Sequence, residues 1–232
     1  RRHGSAGSAG RDGPRRRRWP AGADRPHRSA GTRRPDRSGG LGGAGRVTLP
    51  QLAVVWRADK RFGADEAPLD VLSAILTSGK SSRLFKRLVY EQQIAQMVSA
   101  SNDARLLSGD FWVVVRGKPD TDLDVLETAV YEEIQKLAAA PPSADEVRRA
   151  VNGIETGFVA RLETVENKAE QLNDYLYYTG DAGYVGRDIA RYRAVTPAEV
   201  QRVARQYLAG RNHLVMSYVP QGKTALAAEE NQ

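Results

Sequence analysis

Three histidines, at positions 3, 27 and 213, and no cysteine are all that the chain offers as soft metal ligands or thiol chemistry. A catalytic zinc site needs about three protein ligands and a positioned carboxylate. No two of the histidines stand close enough for H-x-x-E-H or H-x-x-H. His213 sits between Asn212 and Leu214 in an apolar run and reads as an ordinary strand histidine. A Ser-His-Asp triad would need His213 to meet a distant serine, and no G-x-S-x-G elbow supports one. Gly79-Lys-Ser-Ser82 has the end of a phosphate loop, but that pattern requires a glycine five residues earlier, where Ala74 stands. The segment also follows a helical pattern rather than a strand, so nucleotide binding is rejected. The carboxylate runs Glu132-Glu133, Asp145-Glu146 and Glu163/Glu166/Glu170 read as solvated helix faces. Tyr175, Tyr177 and Tyr178 offer either a recognition surface or, more simply, packing between helices with hydroxyls at the rim.

The elements that would position these side chains begin near Val47. Leu49-Pro-Gln-Leu-Ala-Val-Val-Trp56 is a β-rich run. Leu69, Leu72, Ile75 and Leu76 recur at helical spacing, Gly79 ends that helix, and Ser81 or Ser82 caps a second over 83–92. Val98–Asp103 and Asp110–Arg116 read as an antiparallel hairpin turning at Ser108-Gly109. A helix then carries Leu123, Leu126, Val130, Ile134 and Leu137 on one face. Ser143 and Glu146 have capping-box spacing, and the helix they open carries Val147, Val151, Ile154, Phe158 and Leu162. Val165–Tyr178 is helical, and Thr196-Pro-Ala-Glu199 opens a last helix to Leu208. Asn212–Val219 is a closing strand suited to one side of a sheet. The sum is α+β: one antiparallel sheet with helices packed on one face.

Residues 1–46 obey different physics. The net charge of +7 divides unevenly, because residues 1–50 hold 13 Arg against 3 Asp while the rest is mildly acidic. Trp19 and Leu41 are the large apolar side chains of this Arg/Gly/Pro-rich stretch, too few to offset ordering entropy. It reads as a disordered tail or linker, or as a frame-shifted start, and Arg15 to Arg18 could bind RNA or an anionic surface. Residues 221–232 read as a polar C-terminal tail. No apolar run reaches the roughly 18–20 residues of a membrane span.

Several phrases resemble the pitrilysin/insulinase/mitochondrial-processing-peptidase family of inverted zinc peptidases. They are Leu49-Pro-Gln-Leu52, Leu76-x-x-Gly79-Lys-Ser-Ser-Arg-Leu-Phe-Lys-Arg-Leu88, Val165-Glu-Asn-Lys-Ala-Glu-Gln-Leu172 and Val195-Thr-Pro-Ala-Glu-Val-Gln-Arg-Val-Ala-Arg-Gln-Tyr-Leu208. The resemblance covers 47–220 and implies the α/β sandwich shared by LuxS-like and metallopeptidase domains. It further implies repeated domains closing around an extended peptide, with zinc held by one domain's H-x-x-E-H motif.

That motif is absent here, so the resemblance implies a non-catalytic, C-terminal-type domain that binds no cofactor and docks on a zinc-bearing domain or subunit. Active members place an Arg and a Tyr, seven residues apart, opposite the zinc; the aligned positions here are Val89 and Gln96. Neither supplies a charge or phenol for an oxyanion. Ser82, Arg83, Tyr175 and Tyr178 are the candidate substrate-facing or structural residues. The resemblance also admits a structural subunit like respiratory-complex core proteins. It implies a soluble protein of the bacterial periplasm or cytoplasm, with extended peptide as partner and nucleic acid disfavoured.

Overall fold

The computed structural model describes residues 39–45, 47–210 and 212–228. Expectations for residues 1–38, including the arginine run and its possible RNA contacts, and for 229–232 lie outside the described residues.

Five strands form one sheet: β1 (Gly39–Gly45), β2 (Gln51–Ala58), β3 (Ala95–Ala104), β4 (Gly109–Gly117) and β5 (His213–Pro220). Their order is β1-β5-β2-β4-β3. Four of them pair antiparallel, as the alternating patterns predict, with Val54 standing between Val113 and Val215. The sequence reading differs from the structure at β1, which runs parallel to β5 from inside the stretch expected to lack order. A strand of Gly-Gly-Leu-Gly-Gly-Ala-Gly carries almost no side-chain signal, because its pairing rests on backbone hydrogen bonds. Its presence makes the sheet mixed and puts β5 inside it rather than at its side.

Period-two alternation assigns the faces. Leu52, Val54, Trp56, Phe111, Val113 and Val115 all lie on one face and are essentially inaccessible. Helices cover them: α1 (Glu66–Thr77) packs on β3, and α2 (Leu123–Ala139) packs on β2 and β4. The expected stripe of α2, from Leu123 to Leu137, is fully buried. Completely burying one such Leu or Ile contributes about 1.5–3 kcal/mol, so this face supplies much of the core energy.

Four further α-helices are α3 (Ala144–Arg161), α4 (Val165–Thr179), α5 (Val185–Arg193) and α6 (Pro197–Val203), the last continuing as a π-helical turn, Ala204–Leu208, that packs on α2 and β2. Both expected capping boxes form, Ser143/Glu146 on α3 and Thr196/Glu199 on α6. The sequence reading has no counterpart for α5, whose nine residues are too short to show an apolar period. Among the described residues, no helix is long and apolar enough to cross a membrane.

The segment expected as a helix over 83–92 begins as α-helix and then widens. Phe85–Glu91 is π-helical, with the Gln92 N–H reaching back to the Arg87 carbonyl at 2.9 Å. Gln93 then takes φ 53°, and β3 begins with a bulge: Ala95 faces Gly117 and Met97 faces Arg116, leaving Gln96 as the extra residue.

Candidate functional site

Ser82 and Arg83 both work at the junction of α1 and α3. Ser82 is buried, and its hydroxyl donates to the Gly79 carbonyl at 2.7 Å, closing the turn where Gly79 holds φ 82°. Arg83 donates from Nε to Glu146 Oε1 at 2.7 Å and from Nη2 to Oε2 at 3.1 Å. That guanidinium, together with the Ser143 donors and against the cost of burial, holds the Glu146 carboxyl down at about 2. Glu146 is therefore not part of a solvated face.

Nor is Glu133, which is buried and accepts from Arg87 Nη1 at 3.1 Å, while Arg87 Nη2 pairs with Glu132. Asp145 and the Glu163/Glu166/Glu170 run are exposed, as expected.

Val89 and Gln96 occupy two irregularities of the backbone. Val89 lies in the π-helical turn and packs against the core, whereas Gln96 is the exposed bulge residue of β3. π-Turns and bulges both re-aim side chains and are frequent at functional sites. The side chains here are an aliphatic group and a neutral amide, so this pair of positions offers no cation and no acidic hydroxyl.

Tyr175 and Tyr178 pack around Phe62, whose ring lies 5.8 and 5.9 Å from theirs and 5.4 Å from that of Tyr184. Tyr175 is 1% exposed and its hydroxyl donates to Asp188 Oδ2 at 2.9 Å, an interior bond rather than one at the rim. Tyr178 is half-buried, with the exposed Tyr177 edge-on to it at 4.9 Å. Phe62 itself takes φ 56°, uncommon for a bulky residue; its N–H donates to Glu66 Oε2 at 2.7 Å. Arg191 ties the cluster together by reaching Glu66 at 2.8 Å and Asp188 at 3.0 Å.

His213 is engaged on both nitrogens, Nε2 with the Tyr131 hydroxyl and Nδ1 with the Gly210 carbonyl at 3.4 Å, and burial lowers its pKa. Among the described residues, no group of three His, Cys, Asp or Glu is placed to hold a metal ion. The family's zinc therefore has no fitting ligand set in this part of the chain.

Two surfaces remain that sequence reasoning did not single out. One is the second face of the sheet, where Val55, Trp112, Val114, Leu214 and Met216 stay half-buried and Arg57 and Arg116 are exposed at its rim. The other is a cavity of about 550 Å³ bounded by α1, β3, α3, α4 and α5. Asp70 lines it and accepts from Tyr192 Oη at 2.6 Å and Asn102 Nδ2 at 3.0 Å. Burial, opposed by those two donors, pushes the Asp70 carboxyl up to about 6. Asn102 and Tyr192 are 32 and 122 positions from Asp70, so no local motif could announce them.

Comparison with known proteins agrees with this architecture. Residues 21–154 match the family model described as the peptidase M16 inactive domain. An uncharacterized zinc protease of Streptomyces coelicolor is 30% identical over 166 residues, 72% of this chain and 34% of the relative. The chain thus spans about a third of the length of the curated relatives it matches. Among solved structures, a protease from Helicobacter pylori superposes with a TM-score of 0.73 at 21% identity, over 81% of this chain and 45% of that one. A chain of complex III2 from Candida albicans superposes with a TM-score of 0.71 at 12% identity, over 83% of this chain and 47% of that one. Both likenesses concern the fold. With the model match extending over more than half its length, this chain belongs to the peptidase M16 family, as an inactive domain.

Proposed function

We propose that this domain forms part of the substrate chamber of a zinc metallopeptidase, docking on a zinc-bearing domain or subunit that supplies the metal and the catalytic carboxylate. The observation that carries the reading is the second sheet face. Its centre is Trp112, Val114, Val55, Leu214 and Met216, partly accessible to water, with arginines at the margin. An apolar centre with a charged rim is the composition of an interface core. The likeness to zinc proteases about twice the length of this chain supports a catalytic portion outside it. An extended peptide would run along the chamber without contacting a nucleophile from this chain.

The edge strand β3 is a poor place for such a peptide to add as a further strand. Thr77 Oγ1 already accepts from the outward Ala100 N–H at 2.9 Å, so α1 blocks the middle of the edge.

The test is reconstitution. The chain alone, with or without zinc, should leave an unstructured peptide intact; mixed with a zinc-bearing H-x-x-E-H domain, it should restore cleavage, and Trp112→Asp should weaken that restoration. Chelator-sensitive cleavage by the isolated chain would overturn the reading. The likeness to the complex III2 chain supports a second reading, a purely structural subunit. On that reading the mixture assembles through the same sheet face but cleaves nothing.

A further inference from the structure

Asp70 stands apart from the other carboxylates around its cavity. Asp188 is paired with Arg191 at 3.0 Å, and Glu155 with Arg193 at 2.7 Å. Asp70, by contrast, is held among the described residues by neutral donors, the Tyr192 hydroxyl and the Asn102 amide. Glu66 on the same helix adds repulsion, and Arg61, which offsets it weakly, is committed to Glu66 at 3.3 Å. Arg161, on α3, is exposed along the wall. A carboxylate solvated by dipoles but not matched by a cation gains strongly when a cation reaches it, since its desolvation has already been spent in folding.

The remaining wall is suited to the stem of such a cation. Ile154, Phe158 and Ile189 supply apolar surface, while Ser101 and Gln171 supply polar groups. The volume, about 550 Å³, lies within the usual range of roughly 300–1,000 Å³ for small-ligand sites. Gly157, on the facing side of α3, would meet nothing within 4 Å if it carried a Cβ, so the cavity is open there.

We propose that the cavity between α1, β3, α3, α4 and α5 binds a primary alkylammonium group, with Asp70 as its counter-ion and Ile154, Phe158 and Ile189 around its stem. The ammonium belongs either to a free aliphatic amine or to a lysine side chain of a peptide; the recognition chemistry is the same. This site stands independently of the peptidase reading.

The experiment is calorimetric titration of the whole chain at about pH 7.5 with 1,4-diaminobutane and, separately, with the blocked peptide acetyl-Ala-Lys-Ala-amide; acetyl-Ala-norleucine-Ala-amide is the uncharged control. At least one of the two amines should bind saturably, and the control should bind at least tenfold more weakly. Saturation by the diamine alone assigns a small-molecule ligand, and saturation by the lysine peptide alone assigns a chain segment. Asp70→Asn should weaken binding at least tenfold, whereas Tyr192→Phe, which keeps the carboxylate, should change it less. Lowering the pH to about 5, one unit below the carboxyl, should weaken wild-type binding about tenfold through protonation. That arm decides the matter if Asp70→Asn does not fold. Failure of both amines to bind, equal binding of the control, or affinity indifferent to Asp70→Asn in a folded variant would overturn the proposal.

Discussion

Arg83 and Glu146 are 63 residues apart, and their two-point contact joins the segment after α1 to the first turn of α3. The same carboxylate also accepts from the Ser143 backbone at 2.9 Å, closing the capping box. One side chain thus starts a helix and docks it.

Glu146→Gln should therefore destabilise the domain by about 1–1.5 kcal/mol in urea unfolding, combining part of a cap worth about 1 kcal/mol with a partly screened ion pair. The folded carboxyl titrates at about 2, below its ordinary 4.5. Its contribution is present above about 4.5 and is lost as the pH falls toward 2. The wild type and variant should converge over that window; a constant difference across it would show that the charge contributes nothing.

Asp70 should behave in the opposite sense. Its folded carboxyl titrates at about 6, above the ordinary 3.8, so the folded state holds the proton more tightly than the unfolded chain. Ionisation consequently costs stability, which should rise as the pH falls from about 7 through 6 toward 4. In Asp70→Asn this rise should be missing from the melting temperature measured against pH. An identical profile in the variant would remove Asp70 from the account.

Gln93 holds φ 53° at the exit of the π-helical turn, and its side chain is exposed. A non-glycine residue there carries a steric cost of about 1 kcal/mol without packing to offset it. Gln93→Gly should stabilise the domain by about 0.5–1 kcal/mol in the same urea assay, the relief of strain being partly cancelled by the greater freedom of glycine in the unfolded chain. A loss of stability would mean that the Gln93 side chain makes a contact that matters.

How much of this could be read beforehand depended on the range of the physics involved. The helical stripe of α2 and the two capping boxes are local, and sequence spacing announced them. Strand β1 escaped because glycines pair through backbone alone, and α5 escaped because it is short. Glu133 and Glu146 read as solvated since their arginines lie 46 and 63 residues away. The cavity around Asp70 is the extreme case: its groups come from five elements and share no spacing. The resemblance located Val89 and Gln96, but only the backbone shows that they lie in a π-turn and a bulge.

Those two irregularities yield the last prediction. Val89→Arg together with Gln96→Tyr puts a cation and a phenol where the fold already re-aims side chains, at the expense of about 1 kcal/mol of Val89 packing. The isolated double variant should remain folded, take up no zinc and cleave nothing, because among the described residues it still has no ligand cluster. Assembled with a zinc-bearing H-x-x-E-H domain, it should turn over peptide at least tenfold faster than the wild-type assembly, since a single well-aimed oxyanion donor is worth about 100-fold or more. The gain should appear in kcat with KM little changed, as for groups that meet only the transition state. An unchanged kcat in a fully assembled complex would place positions 89 and 96 away from the reacting carbonyl, and the chamber geometry proposed for this domain would fail with it.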